Sequence, residues 1–232
     1  MKSVFITGAN RGLGYGFAEY LSKNGYQVFA GTRVTNTLPQ HENIIWIECD
    51  VTDDTSIDKA VEEIKTKTNS LTLLINNAGV NKDTIPESDK NLVSKLGHLD
   101  RKALMHMFDI NSVSPIIVTQ KFLPLLTINP CYVINISSAR ASFHHGHAGS
   151  TANYGYAASK IALNMFTFCS EAELPKNIRT FAINPGGVKT DMNPDGPDEP
   201  IKKAEKIIGL TENWKEEYNG KFIHHDGTLY PL

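Results

Sequence analysis

Short apolar segments alternate with amphipathic segments along most of the chain. Apolar runs of strand length, rich in β-branched and aromatic residues, occupy 2–7, 26–30, 44–47, 71–75, 132–136 and 177–183. Helical periodicity is found at 15–23, from 53 to about 67, at 99–126, from 154 to about 172 and at 201–209. A last strand is predicted within 220–232, with a turn at Asp226-Gly227. The alternation of strand and helix predicts a doubly wound α/β domain of Rossmann type, with a parallel sheet of about seven strands.

The first strand leads directly into a glycine-rich turn. Three glycines follow it with the spacing Gly-x-x-x-Gly-x-Gly, and a helical segment and a second strand come next. In such a unit, glycines let the backbone turn tightly and approach a pyrophosphate at the helix N-terminus. The turn therefore predicts a dinucleotide site, lined by Gly8, Asn10, Arg11, Gly12, Leu13 and Gly14.

The end of the second strand carries information about the cofactor. An acidic residue at this place binds the ribose hydroxyls of NAD, but here the strand ends at Thr32-Arg33. Arg11 lies within the glycine turn as well. Guanidinium groups bind a phosphate dianion through paired hydrogen bonds, so the pattern favours the 2′-phosphate of NADP(H). The alternative is that Arg11 and Arg33 are solvated surface residues.

Tyr156 and Lys160 are four residues apart in a segment with helical periodicity, so they lie on one face of the helix. An ammonium beside a phenol favours the phenolate and lowers the phenol's pKa. A tyrosine with a lowered pKa can exchange a proton near neutral pH. By itself the pair also occurs by chance on surface helices.

Pro115 interrupts the long helical segment at 99–126. Proline has no N–H, so it cannot bond to the carbonyl of Asn111. That carbonyl is predicted to be free inside a kinked helix. A kink without any catalytic role is the alternative.

These motifs together resemble the short-chain dehydrogenase/reductase family over essentially the whole chain. Thr7 and the glycine turn match its Thr-Gly-x-x-x-Gly-x-Gly at every fixed position, and an Asn-Asn-Ala-Gly tetrapeptide follows the fourth strand. The resemblance implies adenine contacts from an Asp-Val pair after the third strand and nicotinamide contacts after the sixth. The further cofactor-binding residues implied are Asp50, Val51, Asn77, Ala78, Gly79, Pro185, Gly186, Val188 and Thr190.

The resemblance also implies the catalytic roles. Tyr156 would donate the proton and Ser138 would hold the carbonyl oxygen. Lys160 would lower the pKa of the tyrosine and hold the nicotinamide ribose, and the Asn111 carbonyl would hold a water beside that lysine. The implied activity is NADPH-dependent reduction of a small ketone, aldehyde or quinone to an alcohol, as in C-factor-like and sniffer-type carbonyl reductases. An NAD(H)-dependent alcohol dehydrogenase and a nucleotide-binding signalling protein without turnover are the alternatives.

Composition and charge indicate which classes of binding partner and which cellular compartment to expect. The 232 residues are 41% hydrophobic and 21% charged, which suits one domain over 1–232 with a buried core. A net charge of −2 gives no reason to expect nucleic acid. No apolar run approaches the roughly 20 residues of a membrane span, and the first residues lack the features of a signal peptide. Three widely spaced cysteines are expected to be reduced thiols in the cytoplasm.

The loop before Tyr156 and the helix after it bear on metal binding and assembly. Seventeen residues separate Ser138 from Tyr156, and they include His144-His145-Gly146-His147. No cysteine or carboxylate with ligand spacing accompanies these histidines, so a loop over the substrate pocket is predicted and no metal. The helix that begins near Tyr154 is apolar on several faces. One face must meet the sheet, and another is predicted to meet a partner subunit in a homodimer or homotetramer, together with the helix containing Asn111.

Overall fold

The computed structural model of the chain describes residues 2–35, 38, 41–144 and 153–232. The strands of the described residues form one parallel sheet in the order β3-β2-β1-β4-β5-β6-β7. This order confirms the predicted doubly wound fold. The strands are β1 (Lys2–Ile6), β2 (Tyr26–Thr32), β3 (Ile44–Glu48), β4 (Leu73–Asn76), β5 (Cys131–Ile136), β6 (Ile178–Asn184) and β7 (Phe222–His224).

Helices cover both faces of the sheet. They are α1 (Gly12–Lys23), α2 (Asp54–Lys65), α3 (Lys90–Ser94), α4 (Arg101–Phe108), α5 (Ser114–Phe122), α6 (Tyr154–Glu173) and α7 (Pro200–Glu212). Alternate strand residues point to opposite faces, so Val4 and Ile6 of β1 pack with α1 and α7, while Phe5 packs with α2 and α5. Because both faces are covered, the central strands are apolar at nearly every position.

The strand order reverses between β1 and β4. Strands β2 and β3 lie on one side of β1, and β4 to β7 lie on the other. At such a reversal the loops diverge and leave a crevice outside the carboxyl ends of the strands. The segments that follow β1, β4, β5 and β6 therefore meet at one edge of the sheet.

The segment at 99–126 is interrupted as its proline predicts, although it is not one long helix. Helix α4 ends at Phe108, a π-helical turn spans Asp109–Val113, and α5 begins at Ser114 with Pro115 as its second residue. Because Pro115 has no N–H, the regular hydrogen-bond ladder cannot continue through it, and the wider turn takes up the break.

The predicted last strand is much shorter than the 220–232 segment. Strand β7 has three residues, and Gly227 then adopts a φ of +86°, with Thr228 N and Oγ1 donating to Asp226 Oδ1. The predicted Asp226-Gly227 turn reverses the chain, so that Leu229 pairs antiparallel with Ile223. Within the described chain, no helix combines the length and apolarity that crossing a bilayer requires.

Candidate active site

A cavity of about 830 Å³ lies at the crevice where the strand order reverses. Every site residue expected from the sequence lines it, apart from Asn111. The lining residues expected from the sequence are Gly8, Asn10, Arg11, Gly12, Leu13, Gly14, Arg33, Asp50, Val51, Asn77, Ala78, Gly79, Ser138, Tyr156, Lys160, Pro185, Gly186, Val188 and Thr190.

The glycine turn after β1 is shaped as a cradle. Gly8 has a φ of +63°, which favours glycine, and a Cβ there would lie 2.9 Å from Ala78 Cα. A Cβ at Gly14 would lie 2.5 Å from Asn77 Nδ2 and closer still to the Gly8 carbonyl oxygen. Helix α1 begins in this turn at Gly12, so its first N–H groups face the cavity. The turn therefore fits a pyrophosphate brought close to the backbone.

Thr7 and Asn77 join the glycine turn to the end of β4. The Thr7 hydroxyl accepts hydrogen bonds from the N–H groups of Asn77 and Ala78, both at 3.0 Å. Asn77 Nδ2 in turn donates to the carbonyls of Thr7 and Gly8, both at 3.0 Å. These four bonds hold two walls of the cavity at a fixed separation, which explains physically why a threonine precedes the glycines.

The far end of the cavity contains the acidic and basic groups expected for an adenosine. Burial alone would raise the pKa of Asp50, but two hydrogen bonds from Thr52 and the charges of Arg33 and His106 hold that pKa below its usual value. Arg33 is exposed at the end of β2. Arg11 forms an ion pair with Asp191, from the segment after Thr190. Arg11 is therefore paired with the carboxylate of Asp191 in this structure. Arg33, in contrast, lies close enough to Asp50 for its charge to act on that carboxyl group.

Ser138 and Tyr156 form a hydroxyl pair in the middle of the cavity. Ser138 follows β5 and Tyr156 is in the first turn of α6. Burial raises the pKa of Tyr156 above its ordinary value, while a hydrogen bond with Ser138 and the charge of Arg140 act to lower it. The phenol is therefore protonated at neutral pH and suited to donate a proton.

Lys160 is buried one turn further along α6. Its ammonium donates to the Ile136 carbonyl at 2.7 Å and lies 6.0 Å from the centre of the Tyr156 ring. Burial lowers the pKa of Lys160 to about 7. That Lys160 lowers the pKa of Tyr156 stays a prediction, and the charge of Arg140 acts on the pKa of this phenol in the same direction.

Asn111 lies behind the cavity wall in the π-helical turn. Its side chain accepts from Val80 N at 2.9 Å and donates to Val80 O at 2.8 Å and to Ser159 Oγ at 3.0 Å. Ser159 Oγ donates to the Tyr156 carbonyl at 2.9 Å. The side chain therefore positions both the segment after β4 and the turn of α6 that carries the tyrosine. A water held by the Asn111 carbonyl stays a prediction.

Buried amides also fix the strands beneath the site. Asn76 Nδ2 donates to Asn135 Oδ1 at 2.8 Å, and Asn135 Nδ2 donates to Thr167 Oγ1 at 2.9 Å. Strands β4 and β5 and helix α6 are thereby joined by side-chain hydrogen bonds.

Two residues that shape the cavity were not expected from the sequence. Asn184 Oδ1 accepts from Ala139 N and from Gly186 N, both at 3.1 Å. Arg140 lies two residues after Ser138 and lines the cavity beside Tyr156. The sequence could have indicated the role of Asn184, because the side chain of an asparagine before Pro-Gly at a strand end often bonds to nearby backbone. It could not have indicated the place of Arg140, because that depends on the conformation of the turn after Ser138.

A profile of the short chain dehydrogenase family matches residues 2–200 of this sequence. The chain belongs to the short-chain dehydrogenase family. It is 30% identical to mouse estradiol 17-beta-dehydrogenase 2 over 249 residues, which cover 99% of the chain and 59% of the mouse protein. It is 28% identical to an uncharacterized oxidoreductase of Schizosaccharomyces pombe, covering 100% of the chain and 98% of that protein.

Solved structures of carbonyl reductases have the same fold as this short-chain dehydrogenase. The NADPH-bound carbonyl reductase from chicken fatty liver superposes with a TM-score of 0.87 at 27% identity, covering 100% of this chain and 99% of the other. The carbonyl reductase Sniffer of D. melanogaster superposes with a TM-score of 0.87 at 29% identity, covering 100% of both chains. Family membership makes the protein an oxidoreductase that uses a nicotinamide cofactor and acts on a small molecule.

The histidine-rich loop of this short-chain dehydrogenase is described only in part. His144 is exposed, whereas His145, Gly146 and His147 lie outside the described residues. Among the residues that the structure does describe, no group of three His, Cys, Asp or Glu side chains is arranged to hold a metal ion.

Proposed function

We propose that this short-chain dehydrogenase is an NADP(H)-dependent carbonyl reductase that converts a ketone, aldehyde or quinone into an alcohol. The observation that carries the proposal is the Ser138–Tyr156 hydroxyl pair, which shares one cavity with the glycine cradle and Lys160. The fold similarity to the NADPH-bound carbonyl reductase supports the same assignment.

The residues of the cavity fit a dinucleotide along its whole length. The glycine cradle would hold the pyrophosphate, Asp50 and Val51 the adenine, and Lys160 the nicotinamide ribose. The segment that lines the cavity at Pro185, Gly186, Val188 and Thr190 would hold the carboxamide. Arg33 in place of a carboxylate at the end of β2 supports NADP(H) over NAD(H). When bound, the cofactor supplies the hydride, and the protein supplies the proton and the orientation.

The two hydroxyl groups act on one oxygen atom. Ser138 donates a hydrogen bond to the substrate carbonyl oxygen and fixes it beside Tyr156. Tyr156 transfers its proton to that oxygen as the carbonyl carbon is reduced. Burial keeps the phenol protonated until that moment, because it raises the pKa of Tyr156.

Lys160 restores the proton after turnover. Because burial brings the pKa of Lys160 to about 7, the amine gains and loses protons near neutral pH. A water at the Asn111 carbonyl would connect the amine with solvent. Asn111 and Ser159 hold the backbone of Tyr156 in place during this exchange.

Oxidation of an alcohol with NAD(H) is the second candidate, supported by the 30% identity with mouse estradiol 17-beta-dehydrogenase 2. A panel of ketones, aldehydes and quinones with NADPH and NADH, and of alcohols with the oxidised cofactors, tests both. We expect the highest kcat/KM for a carbonyl compound with NADPH. Tight NADPH binding without turnover of any compound would instead favour a nucleotide-binding signalling protein.

We further propose that the protein is a single domain over 1–232 that assembles as a homodimer or homotetramer. Apolar side chains on α4 and α6 support this assembly, since Met105, Met165 and Phe168 are 63%, 54% and 54% exposed. The cytoplasmic location expected from the cysteines stays a prediction. Cys49 and Cys131 are buried and Cys169 is exposed, all three as free thiols.

A further inference from the structure

Lys203 of α7 is a buried lysine to which the proposed mechanism gives no role. Its side chain is 0% exposed, and its Nζ lies 2.7 Å from Asp198 Oδ2. A buried ammonium loses its hydration, and one carboxylate partner rarely offsets that cost, so an apolar side chain of similar length would stabilise α7 about as well. Stability of the fold therefore does not by itself explain why a lysine is found here.

Asp198 connects this lysine to the wall of the cavity. The Lys189 N–H donates to the Asp198 carbonyl at 2.9 Å, and Val188 pairs with Asp198 in a parallel bridge. Val188 lines the cavity in the turn proposed to hold the carboxamide. The Lys203 ammonium holds the pKa of Asp198 below its usual value, so the carboxylate is charged at neutral pH. The main chain of Asp198 is thus bonded to this turn, while its side chain is bonded to α7.

The Lys203 ammonium also lies close to Gly186 of the same turn. Gly186 has a φ of +69°, and a Cβ there would lie 3.4 Å from Lys203 Nζ and 2.9 Å from His225 Cδ2. The His225 N–H donates to the Asn184 carbonyl at 3.1 Å. Burial and the charge of Lys203 lower the pKa of His225, so a neutral imidazole lies beside the ammonium. Because Gly186 lines the cavity and Lys203 is fully buried, the ammonium supports the turn from behind.

The chain between Val188 and Asp198 is packed tightly against the turn. A Cβ at Gly187 would lie 2.7 Å from Pro197 Cδ, and a Cβ at Gly196 would collide with the Val188 carbonyl. Such close approach leaves no space for the two ends of this segment to move separately. A displacement of Asp198 is therefore passed on to the cavity wall at Val188.

We propose that Lys203 is a positioning residue for the nicotinamide end of the cofactor site. Its ion pair with Asp198 fixes residues 188–198 against α7, and this sets the position of the turn at 185–188. The inference rests on the proposed function, in which that turn holds the carboxamide. A charged pair suits this task because it combines attraction with a fixed direction, whereas an apolar contact lets the segment slide.

The arrangement predicts a selective effect on the two halves of the cofactor. The glycine cradle and Asp50, which would hold the pyrophosphate and the adenosine, are on other segments of the cavity wall. Loss of the Lys203–Asp198 pair should therefore weaken the contacts to the nicotinamide and leave those to the adenosine half unchanged. Hydride transfer should slow as well, because it depends on the exact placement of the reacting atoms.

The test compares NADPH with 2′-phospho-ADP-ribose, which is the same molecule without its nicotinamide. Calorimetry gives the Kd of each ligand, and their ratio measures what the nicotinamide contributes. In Lys203→Met we expect NADPH to bind about 10-fold more weakly, as the loss of one or two hydrogen bonds implies. Binding of 2′-phospho-ADP-ribose should stay within about twofold of the wild type. Generally loosened packing would instead weaken both ligands.

A second variant and a matched control assign the change to the ion pair. Asp198→Asn keeps the shape of a side chain that is 32% exposed, so it gives the same readout even where Lys203→Met does not fold. The two changes combined should weaken NADPH no more than Lys203→Met alone, because both remove one interaction. Lys206→Met removes a half-exposed ammonium 3.8 Å from the other Asp198 oxygen and should leave the ratio unchanged.

The binding ratio separates this inference from the proposed function, because it needs no turnover. A selective loss of NADPH binding in Lys203→Met and Asp198→Asn supports the positioning role, even if no carbonyl compound is reduced. If the wild type prefers NADH, the same ratio is measured with NADH and ADP-ribose. An unchanged ratio in both variants, or an equal loss of both ligands, would overturn the inference even where ketones are reduced well. For a ketone that the wild type reduces, kcat at saturating NADPH should fall about 10- to 100-fold in Lys203→Met.

Discussion

The Lys160 ammonium donates to the Ile136 carbonyl at 2.7 Å, so a titratable group on α6 is bonded to the end of β5. Lys160 is 4% exposed, and burial brings its pKa to about 7 from 10.5. Between these two pH values the unfolded chain binds a proton that the folded protein lacks. Stability contributed by this residue must therefore rise with pH across that window and be constant below it.

This relationship gives a prediction for the cofactor-free protein. The free energy of unfolding of the wild type, minus that of Lys160→Met, should increase from pH 7 to 9 by up to about 1.4 kcal/mol per pH unit. Urea denaturation of both proteins at several pH values measures it, and other titrating groups cancel in the difference. A difference that stays flat or falls with pH would show that the lysine keeps its proton when folded.

Tyr156→Phe tests the proton donor. The ring still packs, so folding and NADPH binding should be retained, while kcat should fall by about 10²- to 10⁴-fold. Tyr154→Phe is the matched control, because Tyr154 is on the same turn of α6 but is 40% exposed. Steady-state kinetics and NADPH titration distinguish the two variants. Near wild-type turnover by Tyr156→Phe would refute the assigned role.

Arg33→Asp tests the cofactor preference. A carboxylate at the end of β2 repels a 2′-phosphate and accepts from ribose hydroxyls instead. We expect the wild type to favour NADPH over NADH by about 10- to 100-fold in kcat/KM, and the variant to favour NADH. Arg101→Asp makes the same change in charge at the exposed start of α4, outside the lining of the cavity, and should keep the wild-type preference. Equal use of both cofactors by the wild type is the contrary result.

Two helical glycines give a matched pair for stability. A Cβ at Gly14 would collide with Asn77 Nδ2, whereas a Cβ at Gly209 in α7 meets nothing within 4 Å. Gly14→Ala should lose about 1–3 kcal/mol through overpacking, and Gly209→Ala should gain about 0.5–1 kcal/mol through helix propensity. Urea midpoints measure both. If the two changes shifted the midpoint alike, the tight approach at Gly14 would be wrong.

Met165→Glu tests the proposed assembly. Met165 is exposed on α6, where apolar contact with a second copy is proposed. A buried charge at such an interface is costly, so light scattering should show an oligomer for the wild type and a monomer for the variant. Lys202→Glu on the exposed side of α7 should leave the oligomer intact. A monomeric wild type at micromolar concentration would disprove the assembly.

The sequence predicts most of the fold because its signals are local. Strand ends, the glycine turn and the break before Pro115 each depend on a few neighbouring residues. The wider π-helical turn at Asp109–Val113 could not be predicted. The missing N–H of Pro115 predicts a break in the helical hydrogen bonds, but it does not predict which backbone conformation forms at the break. The early end of β7 depends on how sharply the chain reverses at Gly227.

The sequence predicts which residues line the candidate site better than it predicts the pKa values of those residues. Spacing placed Tyr156 and Lys160 on one helix face, but the direction of the Lys160 ammonium depends on Ile136, a carbonyl distant in sequence. The influence of Arg140 on the phenol depends on the turn after Ser138 and on burial of the whole site. Charge, burial and hydrogen bonding set a pKa together, and only the first of these is readable in a sequence.

A single oxygen atom, Asn184 Oδ1, accepts from both Ala139 N and Gly186 N. The turn that follows Ser138 and the turn proposed to hold the carboxamide are therefore positioned by the same side chain, at the end of β6. Loops further out can change in length and sequence without altering the alignment of these two turns, because their common origin lies in the sheet. Substrate choice can therefore change through the outer loops while the groups that deliver the proton keep their positions.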